Sequence, residues 1–301
     1  MDEPVVLTEK LTKYYGRQRG VIDLDLEVRR GEIFGFLGPN GAGKTTTLRT
    51  LLNFIHPTRG RASILGLDTR RHSQQIRRRV GYLPGELALY ESMTGEELLR
   101  YLASLRGTVD WRWVKQLSDR LKCDLKQRIN SLSHGNRQKI GIIQAMMHHP
   151  ELLILDEPTI GLDPLIQHEF YRLLEEIRVQ GRTVLLSSHI LPEVERVCDR
   201  VGIIREGRMV TVEEVSVLKA HSLRRLEIAF ARPVPPAVFA RVAGVEEISV
   251  ENNVLRCRLA GKLDALVKAA AQFEVVDIRT QEPTLEEVFL TFYNRGEDHA
   301  A

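Results

Sequence analysis

The sequence predicts an α/β fold with a mainly parallel sheet, followed by a smaller α+β unit. Short apolar runs alternate with helix-compatible segments, and the runs 152–156 (LLILD) and 183–188 (TVLLSS) have the length of strands. Largely apolar strands are typical of parallel sheets that are buried on both faces. Because such strands are joined by right-handed crossovers through helices, we expect one layered domain at residues 1–215.

A helical stretch interrupts this alternation between Thr94 and Leu132. Thr94 and Glu97 have the spacing of a capping box, in which each side chain binds the other's backbone N–H. Apolar residues then recur at the spacing of one helix face: Leu98, Leu99, Leu102 and Leu105. We therefore expect a helical subdomain at about residues 86–150.

The pattern changes again after about residue 215. The segments LRRLEIAF, VEEISV, VLRCRL and EVVDIRT predict strands, and PPAVFARV and KLDALVKAAAQF predict helices. Asn252 and Asn253 separate two of these strands, and asparagine tolerates the positive φ of tight hairpin turns. The order β-α-β-β-α-β is the split βαβ pattern of a ferredoxin-like unit, which we expect at residues 216–301 with TLEEVFLTFY as a last helix. A helical-hairpin appendage is the alternative.

Composition and charge exclude several classes of protein. The chain has 301 residues, of which 43% are hydrophobic and 28% charged, as is ordinary for a soluble globular protein. Its net charge of +3 is too small to indicate nucleic-acid binding, and we expect no nucleic-acid partner. The three cysteines lack CxxC pairing, which favours a reduced cytosolic setting. No uncharged apolar run approaches the roughly 18 to 20 residues that span a bilayer, so a membrane role requires a partner.

A complete phosphate-binding pattern, GxxxxGK[ST], follows a predicted strand and opens a predicted helix. We call it the phosphate loop, and it comprises Gly38, Pro39, Asn40, Gly41, Ala42, Gly43, Lys44 and Thr45. Its glycines let backbone N–H groups turn inward around a phosphate, and the dipole of the following helix favours the same anion. Lys44 supplies a positive charge to the β- and γ-phosphates, and the Thr45 hydroxyl is a ligand for Mg²⁺. The pattern predicts a nucleoside-triphosphate site.

Two carboxylates at a strand end refine this prediction. Asp156 ends the apolar run LLILD, at the sheet edge where we expect the phosphate loop, and a carboxylate there can hold Mg²⁺. Glu157 comes next, where it can face the γ-phosphate and orient a water molecule. Their order after the phosphate loop is the order that this chemistry requires.

The set GPNGAGKTT, LSHGNRQK, LLILDEP, GLD and SSH, in this order, resembles the ABC ATPases. The distinguishing member is a variant of that family's LSGGQ signature and contains Ser133, His134, Gly135 and Asn136. Ser133 also predicts the N-cap of a helix running to about Met147, whose exposed N-terminus is suited to an anion. The resemblance implies a P-loop NTPase core that binds ATP and Mg²⁺. It also implies that the signature receives the γ-phosphate of ATP held by a second subunit.

The resemblance covers roughly residues 5 to 215. It implies one residue that binds the adenine and a further residue that binds the phosphates. Tyr15 matches the aromatic residue that stacks on adenine, with Tyr14 as the less suited neighbour. Thr46 matches a second hydroxyl of the phosphate loop.

The resemblance also implies roles at the reacting phosphate and at the dimer interface. His189 matches a histidine that contacts the γ-phosphate and holds the attacking water together with Glu157, so that Glu157, His189 and Lys44 form the expected catalytic set. Asp163, in GLD, matches the loop that crosses the dimer interface and positions the opposite phosphate loop.

The sequence departs from the family in two places. The family usually has Gln after the GYLP strand, but Gly85 stands at that position and Glu86 follows. Because glycine has no side chain to bind a metal or water, the role of that Gln is lost, filled by water or taken by Glu86. The signature has His134 and Asn136 in place of the usual Gly and Gln, and such variants resemble exporters of drugs, lipids or polysaccharides.

The end of the chain favours the same subtype. PTLEEVFL, at 283–290, resembles the ending of drug-resistance exporter ATPases, although a capping helix without a transport role would also have this pattern. The resemblance implies an ATP-hydrolysing subunit that pairs with a second ATP-binding subunit, which we expect to be an identical copy. It would act with a membrane permease at the cytoplasmic face of the membrane, through the stretch 86–105.

Two other functions would use some of the same motifs. An ABC ATPase acting on ribosomes or nucleic acid is one alternative, but such proteins usually carry two cassettes or long arms. A P-loop kinase or GTPase is the other, but the chain lacks an NKxD-type guanine pattern. That reading also leaves the signature segment unexplained.

Overall fold

The computed structural model describes residues 3–107, 109–220, 224–259 and 262–281. Within them the chain forms two compact units that divide between Glu213 and Glu214. The segment PTLEEVFL and the last helix expected at TLEEVFLTFY lie outside the described residues.

The strands of the first unit are β1 (Val6–Tyr15), β2 (Gln18–Val28), β3 (Ile33–Leu37), β4 (Arg59–Ile64), β5 (Leu67–Asp68), β6 (Val80–Leu83), β7 (Leu152–Asp156), β8 (Thr183–Ser188), β9 (Arg200–Arg205) and β10 (Arg208–Glu214). They form a four-stranded sheet in the order β2-β1-β4-β5 and a six-stranded sheet in the order β10-β9-β3-β8-β7-β6. The second sheet contains the predicted parallel strands.

The six-stranded sheet is parallel from β6 through β7, β8 and β3 to β9. Its central strands β3, β7 and β8 are buried along their whole length, which explains their apolar sequences. The carboxyl ends of β3, β6, β7 and β8 therefore meet at one edge of the sheet. In α/β folds, ligands bind outside this edge.

The helices of the first unit are α1 (Lys44–Leu51), α2 (Ser73–Arg79), α3 (Gly95–Arg106), α4 (Trp111–Arg120), α5 (His134–Met146), α6 (Pro164–Val179) and α7 (Leu191–Val197). The predicted capping box is confirmed, since the Thr94 side chain accepts from the Glu97 N–H and the Glu97 side chain accepts from the Thr94 N–H. Helices α3, α4 and α5 occupy the stretch in which the sequence predicted a helical subdomain.

The antiparallel sheet is a feature that the sequence analysis did not predict. In β2, buried Leu24, Leu26 and Val28 alternate with exposed Asp25 and Glu27, which is the pattern of a strand with one solvated face. One hydrophobic core joins this sheet, the six-stranded sheet and α1, so the antiparallel sheet covers the helix that follows the phosphate loop.

The second unit begins with α8 (Val215–Ala220) and continues with β11 (Arg224–Phe230), α9 (Pro236–Phe239), β12 (Val245–Glu251), β13 (Val254–Leu259), α10 (Asp264–Ala270) and β14 (Val275–Gln281). The strands form one sheet in the order β12-β13-β11-β14. After α8, the element order is β-α-β-β-α-β, which is a split βαβ arrangement. Asn252 and Asn253 both have positive φ in the turn between β12 and β13, as predicted. The rings of Phe230, Phe239 and Phe273 pack together in the core of this unit.

Across the described parts of the chain, no helix combines the length and the apolar character needed to cross a bilayer.

We expect the stability of the first unit to depend on His148 below pH 6.5. Burial, reinforced by the Arg106 charge, lowers the pKa of His148 from 6.5 to about 4, and its Nε2 lies 3.2 Å from the Val80 carbonyl oxygen. The unfolded chain therefore takes up this proton more readily than the folded chain. The stabilising contribution is complete above pH 6.5 and is lost as the pH falls towards 4, at about 1 to 2 kcal/mol between pH 7 and pH 5.

Urea unfolding of the parent protein and of His148→Gln at both pH values measures this contribution. Glutamine keeps an N–H donor for Val80 but does not titrate, so the variant should lose less stability than the parent between pH 7 and pH 5. Equal losses in the two proteins would contradict the prediction.

Candidate nucleotide site

The candidate site lies at the carboxyl edge of the six-stranded sheet. The parallel register pairs Leu37 with Ser188 and Asp156 with Ser187. The Gly38 N–H donates to the Ser188 carbonyl oxygen at 3.3 Å, so the phosphate loop begins beside the end of β8. Segments that are far apart in the sequence are therefore brought together by adjacent strand ends.

The phosphate loop needs glycine at three positions, for two reasons. Gly41 and Gly43 have φ values of 78° and 112°, which side chains rarely adopt. A Cβ atom on Gly43 would also lie 2.8 Å from the Gly20 carbonyl oxygen, and one on Gly38 would lie 2.3 Å from the Ile204 carbonyl oxygen. The loop is held against neighbouring backbone, and α1 begins directly at Lys44.

Lys44 is buried at the centre of the loop, with 6% of its surface exposed. Its Nζ donates to the Gly38 carbonyl oxygen at 2.6 Å and lies 3.3 Å from that of Pro39. The same Nζ lies 3.2 Å from Glu157 Oε1. The loop therefore holds a positive charge whose partners are carbonyl oxygens and one carboxylate, as an anion-binding loop requires.

Asp156 offers a carboxylate oxygen as a ligand for a hard cation. The Ser187 hydroxyl donates to Asp156 Oδ1 at 2.5 Å, whereas buried Oδ2 has no hydrogen-bond partner. Burial and the negative charge of Asp156 raise the pKa of Tyr82 to about 12. A buried carboxylate oxygen left unsatisfied beside a phosphate loop fits Mg²⁺, which is bound through one or two carboxylates together with phosphates and water. Asp156 and the Thr45 hydroxyl are the protein groups that would hold it.

The described residues contain no cluster of three or more His, Cys, Asp and Glu side chains that could form a metal cage. A Mg²⁺ ion that is held largely by nucleotide phosphates needs no such cluster. Asp156 and the Thr45 hydroxyl are therefore compatible with a metal ion that arrives bound to its nucleotide.

Glu157 connects Lys44 to His189. Its Oε2 lies 2.9 Å from His189 Nδ1, and its side chain is only 14% exposed. Its φ is 50°, an unusual value for glutamate, and its N–H lies 3.2 Å from both oxygens of Ser187. Strained backbone of this kind is commonly found at functional sites. The carboxylate lies beside the phosphate loop, where it can accept a proton from a water molecule.

Tyr15 lies at the end of β1, close to the start of α1. Its ring is half exposed, with Lys13 Nζ 5.2 Å from the ring centroid. A Cβ on Gly20 would lie 3.1 Å from the Tyr15 ring and 2.9 Å from the Thr46 methyl group, so both side chains border Gly20. An exposed ring beside the phosphate loop is suited to stacking on a base.

The signature segment begins α5 as predicted. Ser133 is the N-cap, and its side chain accepts from the Asn136 N–H at 3.3 Å. A Cβ on Gly135 would lie 2.3 Å from the Gly161 carbonyl oxygen, and a Cβ on Gly161 would lie 2.5 Å from the His134 ring. The signature segment therefore packs against the GLD loop of its own subunit.

Asp163 belongs to the GLD loop, and Glu86 belongs to the segment after β6. Asp163 caps α6, and its side chain accepts from the Ile166 N–H at 3.1 Å. Glu86 is exposed, whereas a Cβ on Gly85 would lie 3.4 Å from Asp156 Oδ2. The structure thus places Gly85, rather than Glu86, directly beside the metal-binding candidate.

Two residues of the site were quoted in the sequence patterns but given no role. Ser187 binds Asp156 and Glu157 together, and Gly161 provides the backbone against which the signature segment packs. The signal for Ser187 was its place opposite Asp156 on adjacent strands, which becomes visible only once the strand register is known.

Comparison with known proteins agrees with these features. The family model described as ABC transporter matches residues 21–160. The bacitracin transport ATP-binding protein BcrA of Bacillus licheniformis is 39% identical over 226 residues, which are 74% of this chain and 74% of that protein. The linearmycin resistance ATP-binding protein LnrL of Bacillus subtilis is 29% identical over 303 residues, covering 95% of this chain and 97% of that protein.

Solved structures share the fold of the first unit. An ATP-binding subunit of an ABC transporter matches with a TM-score of 0.66 and 33% identity, covering 71% of this chain and 92% of the other. A dimeric ATP-binding cassette bound to ADP and phosphate, MJ0796, matches with a TM-score of 0.65 at 21% identity, covering 70% and 98%. Together with the phosphate loop, the Lys44–Glu157–His189 contacts and the signature helix, these matches show that the chain belongs to the ABC transporter family as an ATP-binding, ATP-hydrolysing subunit.

Proposed function

We propose that this ATPase drives export of a drug-like, lipid or polysaccharide substrate through a separate membrane permease. The contact chain from Lys44 through Glu157 to His189 carries the ATPase part of the proposal, because it joins the phosphate loop to a base at one sheet edge. The subtype is supported by the similarity to bacitracin transport and linearmycin resistance proteins. In this proposal, residues 1–215 are the ATP-binding cassette and residues 216–301 an accessory domain.

The geometry supports the following catalytic roles within this proposal. The Lys44 ammonium would neutralise charge on the β- and γ-phosphates, and Thr46 would add a hydroxyl beside them. Asp156 and Thr45 would hold Mg²⁺, which supplies charge neutralisation on the phosphate oxygens when bound. Glu157 would orient the attacking water and accept its proton, and the His189 imidazole would keep that carboxylate in place.

We propose that the active form is a dimer, with two copies of this chain as the simplest arrangement. Among the described residues, no hydrogen bond or ion pair joins the signature segment to the phosphate loop of the same subunit. A second subunit would supply its Ser133 helix N-terminus to the γ-phosphate, where N–H groups and the helix dipole favour an anion. ATP would then stabilise the closed dimer through contacts that exist only in that state.

The permease would contact the surface around α3, at the cytoplasmic face of the membrane. Tyr90 and Tyr101 are exposed there and pack edge to face, with ring centroids 6.0 Å apart. Leu105 is 67% exposed at the end of the same helix. Exposed aromatic and aliphatic side chains that lie near one another are typical of protein–protein contact surfaces.

We expect Glu157→Gln to retain ATP binding and to accumulate as an ATP-bound dimer. Glutamine can keep the hydrogen bond to His189, but it cannot accept the proton of water, so kcat should fall by at least about 100-fold. Size-exclusion chromatography with light scattering, with and without ATP, measures the dimer, and phosphate release measures kcat. A variant that stays monomeric in ATP and turns over at the parent rate would show that Glu157 has been misassigned.

The signature can be tested separately with Gly135→Ala in the Glu157→Gln background. A Cβ here would lie 2.3 Å from a backbone oxygen, so the signature segment must shift and the ATP-dependent dimer should be lost. ATP binding by the single subunit should remain, because the phosphate loop is unchanged. Gly181→Asn is the control, since its glycine has open space and a left-handed φ that asparagine tolerates. Retention of the dimer in the Gly135 variant would contradict the role of the signature.

We expect Gly85→Gln to hydrolyse ATP within about threefold of the parent rate, because the groups that carry the chemistry are already present. The Cβ of the new side chain would be in ordinary van der Waals contact with Asp156 Oδ2, at 3.4 Å. Gly85→Ala controls for the loss of glycine flexibility. A Gly85→Gln protein that hydrolyses ATP many times faster than the parent would show that the missing Gln limits catalysis.

A further inference from the structure

A buried carboxylate, that of Glu193, follows His189 by four residues in the sequence. Glu157 and His189 form the proposed catalytic pair. Glu193 is in the first half of α7, and only 8% of its surface is exposed. A buried carboxylate is costly unless hydrogen bonds satisfy it, so a buried glutamate with well-placed partners indicates a constraint on the groups around it.

The partners of Glu193 are hydroxyl groups from two separate segments. The Thr159 hydroxyl donates to Oε1, and the Ser188 hydroxyl donates to Oε2 at 2.9 Å. Burial together with the Glu193 charge raises the pKa of Tyr171, on α6. Both carboxylate oxygens are thus engaged, and each binds a different strand-end segment.

Those two segments carry the catalytic pair. Thr159 is two residues after Glu157, and Ser188 directly precedes His189. The ladder between β7 and β8 ends at the pair Asp156 and Ser187, so no further strand pairing joins these two segments to each other, although Ser188 still pairs with Leu37 of β3. The carboxylate of Glu193 spans this gap, with one oxygen on each segment.

The Ser188 hydroxyl extends the same network into the turn that follows β8. It accepts from the Ile190 N–H at 2.9 Å while it donates to Glu193. His189 lies between Ser188 and Ile190, so the turn that sets the direction of its side chain is held on both sides. On the other segment, the positive φ of Glu157 needs surrounding contacts to maintain it.

We propose that Glu193 is a positioning residue for ATP hydrolysis, one that holds the Glu157 and His189 segments together through the Thr159 and Ser188 hydroxyls. This inference rests on the proposed roles of Glu157 and His189. Among the described residues, no hydrogen bond or ion pair joins Glu193 to the phosphate loop, so we expect it to affect the placement of the base and not the binding of ATP. Misplacement of a reacting group by about 1 Å can cost about 100-fold in rate.

The test is a comparison of kcat and KM for ATP in the full-length parent and in Glu193→Ala. We expect kcat to fall by about 10- to 100-fold, with KM and ATP affinity within about twofold of the parent values. Rates are divided by the concentration of nucleotide-binding sites, so that partial unfolding does not count as lost catalysis. An unchanged kcat per binding site would overturn the proposal.

Glu32→Ala is the matched control. Glu32 is equally buried, accepts from the Arg29 N–H and pairs with Arg200, but it directly precedes β3, at the opposite end of that strand from the phosphate loop. Both variants should lower the melting temperature, whereas only Glu193→Ala should lower kcat per site. An equal fall of kcat in the two variants would show that Glu193 acts through stability alone.

Two further variants keep the proposal testable if Glu193→Ala does not fold. Glu193→Gln keeps the shape and one acceptor oxygen, so its kcat per site should fall, but by less than about 10-fold. Thr159→Val removes one hydroxyl, and its effect on kcat should not add to that of Glu193→Gln, because both act on the same contact. Fully additive effects, or a parental kcat in Glu193→Gln, would overturn the proposal. A parent protein that hydrolyses no ATP would refute the proposed function instead.

Discussion

The contact between Lys44 and Glu157 is the constraint on which the rest of the site depends. The ammonium and the carboxylate lie 3.2 Å apart with little exposure, and the second carboxylate oxygen lies 2.9 Å from the His189 ring. Charges with so little access to water are stable only when their partners are held in place. The phosphate loop, the end of β7 and the end of β8 must therefore keep their relative positions. The three strands concerned are buried along their whole length, which keeps these strand ends in place.

Much of that positioning is achieved by backbone against backbone. Gly43 lies so close to Gly20 that a methyl group would not fit, and Gly135 lies closer still to Gly161. Such contacts involve no flexible side chains, so each loop has little freedom to shift by itself. The phosphate loop is fixed against the antiparallel sheet, and the signature segment against the GLD loop. The phosphate loop and the signature segment are thus held by different parts of one subunit.

The two departures from the usual family pattern have different structural consequences. At Gly85 the chain approaches Asp156 without placing a side chain near its unsatisfied oxygen, so that oxygen remains available to a metal ion. At His134 the ring packs on Gly161, which ties the signature segment to the loop that carries Asp163. The first change removes a polar group from the site, and the second adds a packing contact beside it.

The sequence by itself determined the chemistry of this protein, because the phosphate loop, the Ser133 cap and the Asp156–Glu157 pair are encoded by residues close together in the chain. The sequence also predicted the parallel strands and the helix N-caps at Thr94 and Ser133. Only the tertiary structure decided that Ser187 supports Asp156 and that Glu193 joins Thr159 to Ser188. These contacts link residues 31 and 34 positions apart, and they join a hydroxyl beyond the end of β7 to one at the end of β8. Local spacing fixes a loop or a cap, whereas strand register and helix packing decide which distant side chains meet.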